Sequence, residues 1–511
     1  MLGEFSTNIA LGLSTAFSIE NLLYCVLGVT LGTFVGVIPG IGALATMSML
    51  FPITFYLDPT SAIIMLAGIW YGSSYGGSIA SILLNLPGTP SSAVACLDGY
   101  PMARQGRAGI ALFMTTMGSF FGASVGILLM MTFAQPLVAL ALSFGPSEYF
   151  SLMVLGLIAA SVISDGSALK AIAMVLMGIL LGVVGLDVQT GQTRFTFGMI
   201  NLIDGISLVA LAMGLFGIAE VTSSVRQATG TLIQHITLKS MIPTRDDVRR
   251  SWMPMVRGST LGSFFGIMPG VGPTVASFIS YAIEKRVAKE PERFGKGAIE
   301  GVVAPETANN ATDQAAFIPT LVLGIPGSAT MALILGVLII HGITPGPSMI
   351  TDRPEMFWGV VMSFWIGNVL LLVLNIPMIG IWVRLLTIPY HYLYPAIIVF
   401  ICIGVYSVNG SAFDVFLIII FGVVGYGART LGFPVAPMLL GFVLGPLMEQ
   451  QFRRTMLMSR GSFDVFMTRP MSATFIILAA LLLAWSIWAA YRHRTPIKRP
   501  PNSAIKTVDG D

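Results

Sequence analysis

The sequence predicts an all-α polytopic membrane protein of two tandem homologous halves, with broken helices and re-entrant hairpins. Three observations support this prediction. Of the 511 residues, 55% are hydrophobic and only 10% are charged, whereas soluble domains carry about 25% charged residues. Apolar segments of about 20 residues, long enough to cross a bilayer, recur along the chain. The chain also repeats its own glycine- and proline-containing motifs in the same order.

The composition excludes several classes of function. The net charge of +3 is too small to indicate a nucleic-acid partner. The sequence contains no phosphate-binding GxxxxGK[ST] motif, which excludes ATP hydrolysis by that route. The four histidines and three cysteines are too scattered to indicate a metal site. We therefore predict neither an enzyme nor a resident cofactor.

Hydropathy and charge divide the chain into six segments. The first has apolar side chains at helical spacing and is predicted to lie in the membrane interface. The repeats and the last apolar helix together predict about 11–12 transmembrane segments. In order, the segments are the interfacial helix, the first transmembrane repeat, a basic linker, the second repeat, an additional transmembrane helix and a basic cytoplasmic tail: 1–19, 20–226, 227–252, 253–455, 471–491 and 492–511.

Paired motifs indicate that the chain arose by duplication. The pattern GxxxGxxPGxG occupies 32–42 and again 262–272, and a Pro-Gly pair followed by a hydroxyl residue occupies 87–89 and 326–328. Duplicated membrane halves are typical of secondary transporters. Basic residues precede the second half but not the first, which predicts opposite orientations by the positive-inside rule. The halves are therefore expected to be inverted repeats.

The PGxG elements are predicted to break helices within the membrane. Proline lacks an amide donor and glycine permits positive φ, so each element should expose backbone amides and carbonyls that suit an anion or a cation. For Gly32 and Gly36 alone, close helix packing is the favoured interpretation. For the PGxG pair we favour a binding or gating role. The predicted break residues are Pro39, Gly40, Gly42, Pro269, Gly270 and Gly272.

The second pair of motifs is predicted to form the tips of two re-entrant hairpins. Apolar segments flank both motifs, and their free amides and hydroxyls can hydrogen-bond a carboxylate without a full counter-charge. The alternative is an ordinary turn at the membrane surface. The predicted substrate-binding residues are Asn85, Pro87, Gly88, Thr89, Pro326, Gly327 and Ser328.

Polar clusters precede both tips and are predicted to hold a cation. Such clusters are costly beside apolar helices unless they line a cavity, and oxygen-rich clusters suit Na⁺. Glu306 and Asp313 are the best ionisable candidates for a Na⁺ ligand or a proton carrier. The alternative is a solvated loop near the charged stretch 284–296. The predicted coupling-ion residues are Ser73, Ser74, Glu306, Asn309, Asn310, Thr312 and Asp313.

Two arginines occupy similar places in the two halves. Arg194 and Arg429 follow equivalent Gly-Val-Val-Gly elements and can neutralise an anion. Interfacial anchoring is the favoured interpretation, because most charges near the spans flank segment ends.

Four long motifs together resemble the large membrane subunit of the tripartite tricarboxylate transporter family. They are the paired GxxxGxxPGxG elements, the stretch 70–78, the tip 85–90 and the stretch 304–311. The resemblance implies a multi-pass protein of the bacterial inner membrane that imports a tricarboxylate or dicarboxylate, driven by a Na⁺ or H⁺ gradient. It also implies two protein partners, a periplasmic solute-binding protein and a small four-helix membrane subunit. The rival interpretations are a passive anion channel, a non-transporting scaffold subunit and a membrane-embedded enzyme.

Overall fold

The computed structural model describes residues 2–38, 42–164, 167–187, 190–219, 236–268, 271–386 and 393–492. Within these ranges nearly all regular structure is helical, apart from one antiparallel pair of two-residue strands, β1 (Gly185–Leu186) and β2 (Thr193–Arg194). This confirms the all-α prediction. The helices in chain order are α1 (Leu2–Ala16), α2 (Ile19–Val37), α3 (Gly42–Leu50), α4 (Pro59–Leu84), α5 (Ala95–Met102), α6 (Ala108–Ala141), α7 (Pro146–Ile163), α8 (Ala168–Gly182), α9 (Leu208–Ala212), α10 (Arg245–Ile267), α11 (Pro273–Val287), α12 (Glu300–Ala315), α13 (Ala329–Ile340), α14 (Pro347–Asp352), α15 (Pro354–Asn375), α16 (Ile379–Leu385), α17 (Leu393–Asn409), α18 (Ala412–Thr430), α19 (Ala436–Met458), α20 (Val465–Thr468) and α21 (Pro470–Arg492).

Six helical stretches in the described residues are long and apolar enough to cross a membrane. The protein is therefore polytopic, as predicted. Four shorter apolar helices of 10–17 residues accompany them, so the predicted total of about 11–12 crossings stays a prediction. The six stretches are Ile19–Val37, Pro90–Ala141, Pro146–Ile163, Pro354–Asn375, Ala412–Thr430 and Pro470–Trp488.

Glycines bring α2 into direct backbone contact with α4. A Cβ atom at Gly32 would lie 2.4 Å from the carbonyl oxygen of Ile69, and one at Gly36 would lie 2.3 Å from that of Ser73. Both distances are far below van der Waals contact, so only glycine fits at these two positions. The close-packing interpretation of Gly32 and Gly36 is confirmed, because the missing side chains let two helix backbones meet.

The second half repeats this contact between α10 and α12. A Cβ atom at Gly262 would lie 2.1 Å from the carbonyl oxygen of Ala308, and one at Gly266 would lie 2.7 Å from that of Thr312. Helix α10 begins at Arg245, inside the range predicted as the basic linker. The same order of broken helix, long helix, tip and long helix follows in each half. Duplication and inversion themselves stay predictions.

The two halves interlock through the long helices that follow the tips. Helix α6 of the first half packs on α12 of the second, and α15 of the second half packs on α4 of the first. A Cβ atom at Gly122 of α6 would lie 2.1 Å from the carbonyl oxygen of Thr307. A Cβ atom at Gly367 of α15 would lie 2.1 Å from the hydroxyl of Tyr71. The tips and polar helices of both halves therefore share one interior.

The terminal helices pack on the outside of this interior. The ring of Phe5 in α1 meets the edge of Trp358 in α15, with centroids 6.1 Å apart. Helix α21 lies against α7, where the hydroxyls of Ser151 and Ser472 are 2.8 Å apart. Helix α21 contains the predicted last span, 471–491.

Candidate functional site

An open cavity of about 840 Å³ lies where both tips and both helix breaks meet. The first half contributes Gly42, Ser73–Ser74 and Pro87–Thr89 to its wall. The second half contributes Gly272 and Ser328. Small-molecule sites occupy roughly 300–1,000 Å³. The cavity is therefore large enough for a small organic ligand, and residues predicted from separate motifs meet around it.

The helix breaks face open space at the cavity wall. Helix α2 ends at Val37, and α3 begins at Gly42 with φ of 67°. Gly272 is the N-terminal cap of α11, and a Cβ atom at either glycine would have no neighbour within 4 Å. The other predicted break residues lie outside the described residues: Pro39, Gly40, Pro269 and Gly270.

Each tip ends one helix and begins another. Asn85 ends α4 in the left-handed region with φ of 58°. Thr89 caps the 3₁₀ turn Pro90–Val94 that leads into α5. In the second tip, Gly324 adopts φ of 69°, and the hydroxyl of Ser328 accepts a hydrogen bond from the backbone N–H of Met331 at 3.3 Å. These turns lie at the cavity wall or beside it.

Three of the predicted substrate-binding residues do not reach the cavity wall. Asn85 is exposed beside it, while Pro326 and Gly327 are buried behind Ser328. The residues of the same prediction that do line the cavity are Pro87, Gly88, Thr89 and Ser328.

Several helices point their N-terminal ends into the cavity. Its wall includes residues of the first turns of α3, α11 and α13, and also the start of α19 at Val435–Ala436. Free backbone N–H groups concentrate at such ends, and each helix carries a partial charge of about +0.5 there. The C-terminal ends of α7, at Ser164, and of α18, at Arg429, also reach the wall, so positive helix ends outnumber negative ones there.

Arg429 adds a full positive charge to the wall. Among the described residues that line the cavity it is the only one with a charged side chain. It lies in the last turn of α18, beside the loop Gly432–Val435 that leads into α19. The sequence offered one signal for it, its place after the second Gly-Val-Val-Gly element, but anchoring was the favoured interpretation.

Of the predicted coupling-ion residues, Ser73 and Ser74 line the cavity, and the other five lie on α12, buried away from its wall. Helix α12 is completely buried from Gly301 to Ala315, which rules out the solvated-loop alternative. The hydroxyl of Ser74 on α4 donates to Asp313 at 2.6 Å. The hydroxyl of Ser78, one turn further along α4, donates to Glu306 at 2.6 Å. Two buried carboxyl groups of the second half are therefore held by serines of the first.

Two asparagines complete a cluster that we call the acid cluster, which consists of Ser74, Ser78, Glu306, Asn309, Asn310 and Asp313. Two other predicted residues, Thr312 and Ser73, donate to backbone carbonyls instead. The side-chain amide of Asn309 donates to Glu306 at 3.1 Å, and that of Asn310 donates to the Asn309 oxygen at 2.6 Å. In contrast, the hydroxyl of Thr312 donates to backbone carbonyls of Gly262 and Ala308. Likewise, Ser73 donates to the Trp70 carbonyl at 2.7 Å.

Four buried acceptor oxygens in or next to the cluster are left unsatisfied by the described residues. Oε1 of Glu306, Oδ1 of Asp313, Oδ1 of Asn310 and Oε1 of Gln314 are buried and have no hydrogen-bond partner among the described residues. A buried acceptor without a partner costs about 1–3 kcal/mol. The cluster thus lacks positive charge or hydrogen-bond donors, and a bound cation or proton would supply them.

The fold and the cavity define a class, the multi-pass membrane transport proteins. Broken helices whose ends meet in a cavity between two sets of helices are typical of secondary transporters. Comparison with known families agrees. The sequence profile of the tripartite tricarboxylate transporter TctA family matches residues 22–440. The chain belongs to this family, and the expected membership is confirmed.

Two proteins of Agrobacterium vitis are similar to the chain. One, "Uncharacterized 52.8 kDa protein in TAR-I ttuC' 3'region", is 50% identical over 483 residues, which cover 94% of this chain and 96% of that protein. Another, "Uncharacterized protein in TAR-II ttuC' 3'region", is 51% identical over 233 residues, which cover 46% of this chain and 96% of that protein. No solved structure matches the chain.

Proposed function

We propose that the chain is the carrier subunit of a secondary active transporter that imports a tricarboxylate or dicarboxylate. A periplasmic solute-binding protein delivers the solute, and a small four-helix membrane subunit accompanies the carrier in the bacterial inner membrane. A Na⁺ or H⁺ gradient drives uptake. Family membership supports the transporter class. The observation that carries the proposal for this chain is the cavity of about 840 Å³ between the two tips.

The helix ends at the cavity wall favour an anion. The N-terminal ends of α3, α11, α13 and α19 contribute about +2, and the C-terminal ends of α7 and α18, which also reach the wall, contribute about −1, if each end carries about half a charge. The balance is positive, and Arg429 lies on the same wall. The hydroxyls of Thr89 and Ser328 add polar groups that fix its orientation. This combination favours an anion over a neutral solute.

The acid cluster supports a coupled mechanism. Ser74 lines the cavity and also donates to Asp313. Cation binding at Asp313 therefore alters a hydrogen bond at the substrate wall. A cation there also adds positive charge close to the bound anion, so each ligand favours the other. A passive anion channel needs no such cluster, and a scaffold subunit needs no ligand-sized cavity.

Uptake into proteoliposomes tests the proposal. The chain is reconstituted with its small subunit and its binding protein, and uptake of labelled citrate, succinate and malate is measured with and without a Na⁺ or pH gradient. We expect accumulation of one of these acids only with a gradient. Uptake that equilibrates without accumulation would identify a channel. A complex that transports none of the three acids would contradict the proposed substrate class.

Two variants test the assignment of the cavity. For Arg429→Gln we expect KM for the carboxylate to rise at least tenfold, because the described part of the wall loses its one charged side chain. The matched control is Arg104→Gln, since Arg104 is exposed and does not line the cavity. For Asp313→Asn we expect accumulation to fall at least tenfold while the protein folds normally. Unchanged uptake in both Arg429→Gln and Asp313→Asn would refute the site.

A further inference from the structure

A second recess adjoins the Glu306 end of the acid cluster. Ser78 of α4 and Thr115, Thr116 and Ser119 of α6 line this recess. It has no room for a water molecule in this structure. We call it the α4–α6 cleft. Thr115, Thr116 and Ser119 were not singled out by any sequence motif.

The cavity and the cleft face adjacent stripes of α4. Trp70, Ser73 and Ser74 line the cavity, while Tyr75 and Ser78 line the cleft. At about 100° per residue, Ser74 and Ser78 lie side by side at the boundary between the two stripes. Helix α4 thus borders both spaces, with Ser74 lining the cavity and Ser78 lining the cleft.

The two carboxyl groups are matched to these two serines. Ser74, at the cavity, donates to Asp313, and Ser78, at the cleft, donates to Glu306. Asp313 and Glu306 are seven residues apart on α12, about 10 Å along the helix axis. Each carboxyl group also keeps one buried oxygen without a partner among the described residues. The cluster therefore consists of two separate acceptor positions.

A chain of hydrogen bonds through Asn309 and Asn310 joins the Glu306 carboxyl group to the cleft. The side-chain amide of Asn310 donates to the hydroxyl of Ser119 at 2.8 Å and to the oxygen of Asn309 at 2.6 Å. Asn309 in turn donates to Glu306. The same Asn310 side chain that donates to Ser119 also carries a buried Oδ1 without a partner among the described residues. The Glu306 end of the cluster therefore connects to the cleft by side chains alone.

We propose that Asp313 and Glu306 are two successive stations on the route of a monovalent cation, Na⁺ or H⁺, from the cavity to the α4–α6 cleft. The cation enters at Asp313 beside the substrate and leaves from Glu306 when the cleft widens. If the cation is H⁺, the Asp313 carboxyl loses the proton that the Glu306 carboxylate gains. The inference rests on the proposed coupling role of these carboxyl groups, and adds the cleft as the exit.

The exit is tested by separating net transport from exchange. Net accumulation needs release of the cation, whereas exchange of labelled for unlabelled carboxylate at equal cation concentrations does not. The variants Thr116→Val and Ser119→Ala each remove one hydroxyl from the cleft. We expect gradient-driven accumulation to fall at least tenfold in both variants, with exchange within twofold of wild type. The probe is whichever of citrate, succinate and malate the wild-type complex transports.

The control removes an equivalent hydroxyl elsewhere. Thr33 of α2 is buried, and among the described residues its hydroxyl donates only to the carbonyl of Val29 in its own helix, at 2.8 Å. The Thr116 hydroxyl donates in the same way to the carbonyl of Leu112 at 2.8 Å. Thr33→Val should therefore change neither assay. Separate Na⁺ and pH gradients identify the cation, because only one of them should drive accumulation that depends on Thr116.

The outcomes separate the two proposals. Accumulation unchanged in folded Thr116→Val and Ser119→Ala, together with accumulation lost in Asp313→Asn, would overturn the exit and leave the coupling site standing. Equal loss of exchange and accumulation would also overturn the exit, since the cleft would then act on substrate. If a variant does not fold, the reactivity of Thr116→Cys with a hydrophilic thiol reagent tests instead whether the cleft opens to water during transport. A cysteine that never reacts during transport overturns the exit.

Discussion

Asp98 should hold the loop before α12 in place. This aspartate of α5 is fully buried, and its Oδ1 accepts hydrogen bonds from the backbone N–H groups of Gly295, Gly297 and Ala298, each at 2.8 Å. Its Oδ2 accepts one from the Tyr281 hydroxyl at 2.9 Å. Because α5 follows the first tip and the loop leads into α12, this aspartate links the substrate tip to the helix with the acid cluster.

The size of the effect follows from the three backbone hydrogen bonds. Asp98→Asn keeps an acceptor oxygen but removes its negative charge. Hydrogen bonds to charged groups contribute about 1.5–3 kcal/mol and neutral ones about 0.5–1.5 kcal/mol, so each bond weakens by about 1 kcal/mol. Three bonds together give about 3 kcal/mol, or roughly a 100-fold larger population of the opened loop.

Limited trypsin digestion of the solubilised full-length protein measures this opening. The loop contains Lys296, and cleavage tracks the open population when reclosing is fast. We expect cleavage after Lys296 to accelerate roughly 100-fold in Asp98→Asn. The control is Asp352→Asn, since Asp352 is exposed and accepts a hydrogen bond from the Thr351 hydroxyl. Acceleration below threefold in Asp98→Asn, or an equal change in the control, would refute the reasoning.

Two further predictions concern stability, both measured by thermal unfolding in detergent. The first of these concerns Asp247, which lies in the polar first turn of α10, outside the six apolar spans. Burial disfavours the charged form of its carboxyl group, but hydrogen bonds from Thr244 and Arg107 outweigh the effect of burial and lower its pKa below the ordinary 3.8. The ionised carboxylate stabilises the folded protein fully above pH 3.8, and this stabilisation is lost as pH falls through the lower pKa of the folded state. Asp247→Asn should therefore lower Tm at pH 7 and flatten the fall of Tm below about pH 4. Curves of Tm against pH that run parallel for the variant and the wild type would contradict this. Gly262→Ala should destabilise by about 1–3 kcal/mol or more, because its Cβ would lie 2.1 Å from the Ala308 carbonyl oxygen. Gly427→Ala, with no atom within 4 Å of the new Cβ, should instead stabilise α18 by up to about 1 kcal/mol, and equal shifts in the two variants would contradict the packing argument.

The glycine patterns predicted packing well because they act locally. A GxxxG pair places both glycines on one helix face regardless of what lies opposite, so close approach at Gly32 and Gly36 could be predicted before the partner helix was known. Which helix lies opposite these glycines could not be predicted. That α4 supplies the carbonyl of Ser73 depends on how the chain returns, which a local motif does not encode.

The acid helix shows where prediction from sequence stopped. The residues between Glu306 and Asp313 are so polar that the sequence was also consistent with a solvated loop. Only the structure shows that they form a helix buried in the protein interior. Ser74 and Asp313 were both among the predicted coupling-ion residues, and the structure brings their side chains into contact. Ser78 and Glu306 pair in the same way, which was not predicted.

The sequence by itself determined the membrane class, the family resemblance and the positions of breaks and tips, because hydropathy, proline and glycine act on the backbone where they stand. Tertiary structure alone decided that these elements surround one cavity. The convergence of the first turns of α3, α11, α13 and α19, the presence of Arg429 on the same wall and the cleft behind Glu306 all depend on contacts between residues far apart in the chain. Such contacts follow from the packing of whole helices, which no single motif specifies.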